Sequence, residues 1–397
     1  MGIARINRAT RGSRPRLTLA CSSLLLYMLS SCASLPQQAP VSADDLVWVA
    51  AGAGMLSASS GAPIEDSPSL MHVSDEMRRF AQEATRAATS VDGKASALAL
   101  ALSGKKGLNL QFDAEATLTA QEAFKQRRAN CLSYTMLFVA LARELGIPAK
   151  FNEVEIPPIW DFGDDNTSLL YLHINARVDL TPPFFQIVDV NGEEYDPSFP
   201  QSPISDAAAQ AQFYNNRSVE LRLQRHYADA VRYQIRALAL DPDAAYLWTN
   251  LASLYLQSDS LRAARIAATK ALTLDTSRML SYDTAALIYD KLGDAHLAAY
   301  FHERAQYFID QNPYYHYQLA LAALREHNDS LAYDETRHAI EMYRKEPRFF
   351  FLMAVLLDRL GEKKLAYKSM QIAIELTPDT TQQQRYRSKF ARLTNQG

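Results

Sequence analysis

From residue 207 onward, alanine returns with a period that leaves the chain little freedom of fold. Ala230, Ala264, Ala298, Ala332 and Ala366 each lie 34 residues from the next. A second series stands seven residues later, at Ala237, Ala271, Ala305, Ala339 and Ala373. A third, of small residues, stands twelve before the first: Ser218, Ala252, Ala286, Ala320 and Ala354. Chance does not keep three registers through five periods. Small residues in fixed registers mark where two helices cross closely, and a constant period of this length means stacked copies of one helix pair. Trp248 opens the second unit, Pro242 and Pro378 close the first and fifth, and Gly293 and Gly361 fall in inter-helix turns. After Pro378, "TQQQRYRSKFARL" sets Tyr386, Phe390 and Leu393 on one face, which suits a capping helix.

That period and length, with alanine at the crossings, resemble the tetratricopeptide repeat. The resemblance implies five repeats over 206–378, a cap over 379–397, and a protein or peptide partner held by the repeats. In such repeats the second and fifth positions of the first helix face the concave groove, which points to Tyr246, Tyr314, Tyr317 and Phe351.

At the other end, residues 1–16 carry five arginines and no acid, followed by the apolar run "LTLACSSLLLYMLSSC". This is the pattern of a secretory signal peptide. The sequence Leu29-Ser30-Ser31-Cys32 resembles a bacterial lipobox, which implies cleavage of 1–31 and lipid on Cys32. A membrane-spanning anchor is the alternative, but the apolar core falls short of the roughly 20 residues a spanning helix needs. Ala33 stands where an aspartate would signal inner-membrane retention, so the expectation is the outer membrane, facing the periplasm.

Loss of the leader takes five of the 41 basic residues and none of the 44 acids, leaving a net charge of −8. An acidic mature chain is a poor match for a phosphate backbone, so nucleic acid is not an expected partner. It also leaves Cys131 as the one free thiol, since Cys21 departs and Cys32 would be lipidated.

Residues 32–45 are Pro/Gln/Ser-rich and read as a tether. "LVWVAAGAGML" (46–56) is apolar but too short to span a bilayer, and suits a buried or membrane-surface segment. Helices are expected around "DEMRRFAQEATRAA" and "KASALALALSG", the second stopped by Gly104.

The stretch "RRANCLSYTMLFVALARELGIPAKF" holds the free thiol. Thr119-x-x-Glu122 is a capping box for a short helix just upstream. Asn130 is then an N-cap, placing Cys131 in the first turn of a helix apolar almost all round and ended by Gly146 and Pro148. A thiol there meets the positive end of the helix dipole, which favours the thiolate, with Arg127 and Arg128 close in sequence. A small buried cysteine is the alternative, and position alone does not choose between them.

Six of the eight histidines lie in the repeats, where packing or surface roles are expected; the others are His72 and His173. His173, Asn175, Arg177 and Asp179 alternate with Ile174, Ala176, Val178 and Leu180, a half-buried strand. "TPP" breaks it and "FFQIVDV" gives a second strand. A hairpin turning near Pro182 pairs residues whose numbers sum to about 362–364, which sets His173 beside Asp189–Asn191 and leaves Asp179 at the wrong end. Asp196 lies beyond the strand. The acidic run "DFGDDN" (161–166) lacks the alternating spacing of a calcium loop and is expected to be solvated.

Cysteine at a helix start, then histidine and aspartate on neighbouring antiparallel strands, resembles the transglutaminase-like fold over roughly residues 110–195. "NCLSYTMLFVALARELGIPAKF" is similar to its cysteine helix, with Ala129 where a glycine is usual; "LHINARV" and "IVDV" are similar to its histidine and aspartate strands. The junction "SPISDAAAQAQFYNNRSVELRLQ" resembles that of bacterial lipoproteins joining this domain to tetratricopeptide repeats. The implied fold is an α+β transglutaminase-like (cysteine-protease-like) domain, 46–205, followed by an all-α tetratricopeptide-repeat solenoid. The implied site is Cys131 as nucleophile, His173 as base and Asp189 orienting the imidazole, without metal or cofactor. The implied function is a cysteine peptidase or amidase, with an amine-using acyltransferase or a silent scaffold as alternatives.

Overall fold

The computed structural model describes residues 40–154, 173–190 and 200–377, together with 383–384, 386–388 and 391. The leader with Cys32, the run 161–166, Asp196, Phe390 and Leu393 lie outside the described residues. From Val41 on, the chain forms one compact unit.

The cysteine-bearing half is built round one helix. Helices α3 (Asp75–Thr85) and α4 (Val91–Ser103) occupy the two expected stretches, each opened by a serine N-cap; Gly104 closes α4. Helix α5 (Ala120–Gln126) carries the capping box, with Thr119 and Glu122 each bonding the other's backbone N–H. Strands β1 (Gln111–Phe112) and β2 (Arg128–Ala129) make a short parallel pair beneath it. Helix α6 (Cys131–Glu144) follows and is buried without a break from Leu132 to Ala142. Each large apolar side chain so enclosed contributes about 1.5–3 kcal/mol. A helix apolar on every face has nowhere to sit but inside, and α3, α4 and α5 cover it from one side while a sheet covers the other.

That sheet has the order β5-β4-β3-β6, from β3 (Ala149–Val154), β4 (His173–Asp179), β5 (Phe185–Val188) and β6 (Gln201–Ile204), with each neighbouring pair antiparallel. Paired residues of β4 and β5 sum to 364, as in Ala176 with Val188 and Arg177 with Ile187. Strand β4 departs from the half-buried expectation in its first half. His173, Ile174, Asn175 and Ala176 are all buried, because β4 is central in the sheet and lies against α6.

Ser205 caps α7 (Asp206–Leu223) directly after β6, so the sheet edge runs into the first repeat. Five helix pairs follow: α7 with α8 (Tyr227–Leu240), α9 (Ala245–Gln257) with α10 (Leu261–Leu274), α11 (Met279–Leu292) with α12 (Ala295–Asp310), α13 (Pro313–Arg325) with α14 (Asp329–Met342), and α15 (Pro347–Arg359) with α16 (Lys363–Leu376). All members of the three small-residue series are buried. Tyr386 stacks on Phe351 at 4.7 Å and closes the last pair.

The segment 43–66 packs on the repeats. Helix α1 (Ala43–Ala50) lies against α10: Asp45 pairs with Arg262 at 2.8 Å, Arg262 covers the Trp48 ring, and Tyr255 of α9 donates to the Val49 carbonyl at 2.6 Å. Farther on, Ser60 donates to Asp229, while Tyr214 and Tyr233 both donate to Glu65. The apolar stretch 46–56 is thus partly covered by protein, with Val49 buried and Val47 exposed.

Each helix pair turns through one residue at positive φ: Arg225, Asp259, Gly293, His327 and Gly361, again 34 apart. The next residue's N–H reaches back five positions, as from Asn328 to the Ala323 carbonyl at 2.8 Å. Only glycine adopts this conformation without a steric cost. His327→Gly and Arg225→Gly, both at exposed side chains, should therefore each stabilise the fold, by about 1 kcal/mol, measured as a rise in the urea midpoint at constant slope.

Candidate active site

The start of α6 is fixed before any catalytic group is considered. Asn130 Oδ1 accepts from the Ser133 N–H at 2.8 Å, which caps the helix, and Asn130 Nδ2 donates to Thr117 Oγ1 at 2.9 Å. Ser133 Oγ accepts from Leu118 N at 2.7 Å and donates to the Ala116 carbonyl at 3.1 Å. The loop 116–118 is therefore stitched to Asn130 and Ser133, the residues on either side of the first helical positions, and Cys131 at the first position is partly exposed. The Thr135 hydroxyl lies 2.8 Å from the Cys131 carbonyl and 3.3 Å from that of Ile174, so it joins the cysteine helix to β4 beside His173.

His173 opens β4 and is 7 % exposed. Its Nε2 lies 2.6 Å from Asp189 Oδ2 at the end of β5. By the register of 364, Asp189 stands opposite Asn175, and the imidazole reaches it diagonally from two residues earlier. Burial works against the imidazolium, but the hydrogen bonds and negative charge supplied by Asp189 and Cys131 outweigh it and raise the His173 pKa above its ordinary value. The same interactions bring thiol, imidazole and carboxylate together in one chain. Tyr134 is buried behind them, and its phenol is raised by burial and then by the charge of Asp189.

Behind the aspartate runs a line of buried amides that the sequence did not disclose. Asn175 Nδ2 donates to Asp189 Oδ2 at 3.2 Å, Asn152 Nδ2 donates to Asn175 Oδ1 at 2.9 Å, and the same Nδ2 donates to Gln201 Oε1 at 3.0 Å. The line crosses all four strands. Asn175 carried a signal, lying two residues from His173 on the same strand face. Asn152 carried none until β3 and β4 were in register, where it pairs with Asn175.

Other expectations need correction. Arg128 does not serve the thiol: it is exposed and pairs with Asp113 at 2.9 Å. Asp179 does lie, as expected, at the turn end of the hairpin, tied to Lys150 and Arg177 at 2.6 and 2.9 Å. His72 is exposed, on the link into α3. Among the aromatic groove residues, Tyr314 is 7 % exposed, donates to Glu346 at 2.9 Å and packs on Phe349, so it is a core residue and not a contact. Tyr317 also packs on Phe349, Phe351 stacks on Tyr386, and Tyr246 has its phenol raised by burial and by Glu153 of β3. Tyr314 and Tyr317 hold the fourth repeat to the fifth, and Phe351 holds the fifth to the residue that closes it.

Comparison with known proteins gives the class of each half. A profile of the transglutaminase-like superfamily matches residues 78–163, and a tetratricopeptide-repeat profile matches 245–278. The fold is a transglutaminase-like domain followed by a helical, tetratricopeptide-type solenoid. The first match contains Cys131 and ends before His173 and Asp189, which the geometry alone brings to it. No curated protein matches the chain. Among solved structures it is similar to YrrB, described as a tetratricopeptide-repeat protein with an unusual peptide-binding site: identity is 18 %, over 45 % of this chain and 92 % of that one, with a TM-score of 0.24. It is also similar to MamA (from residue 41) of Desulfovibrio magneticus RS-1, at 16 % identity over 42 % and 94 % of the two chains, TM-score 0.25. PilF of Pseudomonas aeruginosa is similar at 15 % identity over 48 % and 87 %, TM-score 0.26.

The folded protein holds the His173 proton more tightly than the unfolded chain does. That contribution to stability is complete below the ordinary imidazole pKa of about 6.5 and is lost as pH rises through the raised folded value. His173→Gln should therefore cost most stability near pH 5.5 and progressively less toward pH 9, measured by urea denaturation of both proteins across that range.

Proposed function

We propose that the protein is a lipid-anchored cysteine hydrolase of the bacterial cell envelope, a peptidase or amidase working through an acyl-enzyme on Cys131. The observation that carries this is the contact chain from Cys131 through His173 to Asp189, set at the N-terminus of a buried helix. The dipole of α6 favours the thiolate and the buried Asp189 favours the imidazolium, so the pair is supported from both ends.

In this scheme the Cys131 sulfur adds to the amide carbonyl carbon, and the carbonyl π pair moves onto oxygen, where the Cys131 backbone N–H is positioned to receive it. The tetrahedral species collapses, the C–N bond breaks, and His173 gives its proton to the departing amine. A thioester remains. Neutral His173 then takes a proton from water, the hydroxide adds to the thioester, and the C–S bond breaks, releasing the acid and restoring the ion pair. Asp189 holds Nε2 throughout, which leaves Nδ1 to exchange the proton.

The repeats would hold a protein substrate or partner near this site and raise its effective concentration. The anchor is proposed from the leader and Cys32. Among the described residues, no helix is long and apolar enough to cross a membrane. Ten residues separate Cys32 from Ser42, the N-cap of α1, a reach of at most about 35 Å. Because α1 is fixed to α10, a lipid on Cys32 would keep the second repeat within that distance of the bilayer.

Alkylation of Cys131 at pH 7 tests the chemistry. His173→Ala should lower the rate by tenfold or more, and Asp189→Asn should lower it with the fold intact. In cells, Cys131→Ser should abolish the envelope function. Full complementation by Cys131→Ser, with loss of function on truncating the repeats, would instead establish a silent scaffold.

A further inference from the structure

The five repeats share one backbone, so each shows what its neighbours ordinarily carry at a position. In steps of 34, His316 of α13 aligns with Tyr214, Trp248, Tyr282 and Phe350, all aromatic. Glu335 of α14 aligns with Tyr233, Ala267, Phe301 and Ser369, none of them charged. The fourth repeat alone puts an imidazole against a carboxylate at this helix crossing. His316 Nδ1 lies 2.6 Å from Glu335 Oε2, with the two side chains only 13 % and 16 % exposed. His338, one turn beyond Glu335 on the same helix face, brings its ring centre to 5.5 Å from that of His316, at an interplanar angle of 70°. One donor atom from each of the three lies within 4.8 Å of the others.

The hydrogen bonds round His316 orient it as a ligand. The other nitrogen of His316, Nε2, is 3.2 Å from the Asp310 backbone carbonyl at the end of α12. A carbonyl only accepts, so Nε2 carries the hydrogen. Nδ1 is then the nitrogen left for a ligand, beside the Glu335 carboxylate. Donation of the outer N–H to a backbone carbonyl is the usual support of a metal-ligating histidine. Two imidazoles on one tetrahedral ion, at about 2.0–2.1 Å from metal to nitrogen, have ring centres about 5 Å apart.

We propose that His316, Glu335 and His338 form a binding site for a divalent cation of the zinc type. Two imidazoles and one carboxylate suit zinc and its neighbours and not magnesium or calcium, which take all-oxygen sites. Three protein ligands leave a fourth position to water or to a group on a bound partner. The ion would tie α13 to α14 in the repeat whose crossing lacks the aromatic found in the other four. For His316 and His338 this goes beyond the packing or surface roles expected of the repeat histidines, and it is independent of the chemistry at Cys131.

The test uses the full, untagged chain carrying Cys131→Ser, so that the thiol site contributes no ligand. Zinc affinity is measured by competition with a chromogenic chelator, and cobalt(II) serves as a spectroscopic probe. The expected result is one equivalent of zinc, with visible cobalt bands of tetrahedral intensity. His338→Ala and Glu335→Gln should weaken binding at least tenfold. His316→Phe, which installs the residue of the fifth repeat, should do the same while helicity is unchanged. Absence of stoichiometric zinc binding, or an affinity unchanged from the parent in the folded His316→Phe and His338→Ala proteins, would overturn the site.

Discussion

The cysteine-bearing half depends on the complete burial of α6. A helix with no polar face offers water only its ends, and the C-terminal end is consumed by the tight turn into β3. Its N-terminus is thus the one place where a reactive side chain can be both held rigidly and reached. Asn130 accepts from the Ser133 N–H, and both Asn130 and Ser133 bind the preceding loop, so Cys131 has a fixed backbone without spending its own side chain on the cap. The sheet then supplies the remaining chemistry. Because β4 is central and crosses α6, its first residue is carried to the helix start, and the hairpin brings Asp189 to its outer side.

The buried amides give this site a depth that a three-residue description omits. Asp189 is a carboxylate almost out of water, and such a charge is tolerable only when donors surround it. His173 and Asn175 are two of these. Asn175 is in turn oriented by Asn152, and Asn152 donates as well to Gln201 on the edge strand that enters the first repeat. Strand β3 also reaches the solenoid through Glu153, which accepts from Gln212 of α7 at 2.6 Å. Arg143 of α6 pairs with Asp206 at the head of α7 at 2.6 Å. Orientation at the imidazole and docking of the repeats are thus built from adjacent residues of the same strands.

Much of this was legible in the sequence where the determining contacts are local or periodic. The cap at Asn130, the capping box at Thr119 and Glu122, and the stop of α4 at Gly104 follow from residues a turn apart. The repeats follow from a strict period, and the β4–β5 register, to within one pairing step, from a hairpin turning near Pro182. The parts that escaped are long-range. Nothing near Asn152 announces that it will meet Asn175 across a connection of nearly twenty residues, and nothing near Asp45 announces Arg262. The groove assignment failed at Tyr314 for a related reason: position within a repeat does not disclose that it will turn inward onto Glu346 and Phe349.

The packing of α1 on α9 and α10 also sets the path of mechanical load. Val49 and its hydrogen-bond partner Tyr255 are 206 positions apart in the chain, and the whole cysteine-bearing domain lies within the loop they close. Tension entering at Ser42 and leaving through the later repeats crosses directly from Asp45 and Val49 to Arg262 and Tyr255. The strands that carry His173 and Asp189 hang beside that line of force. A pull on the chain is borne by the solenoid, and the contacts of thiol, imidazole and carboxylate are spared it.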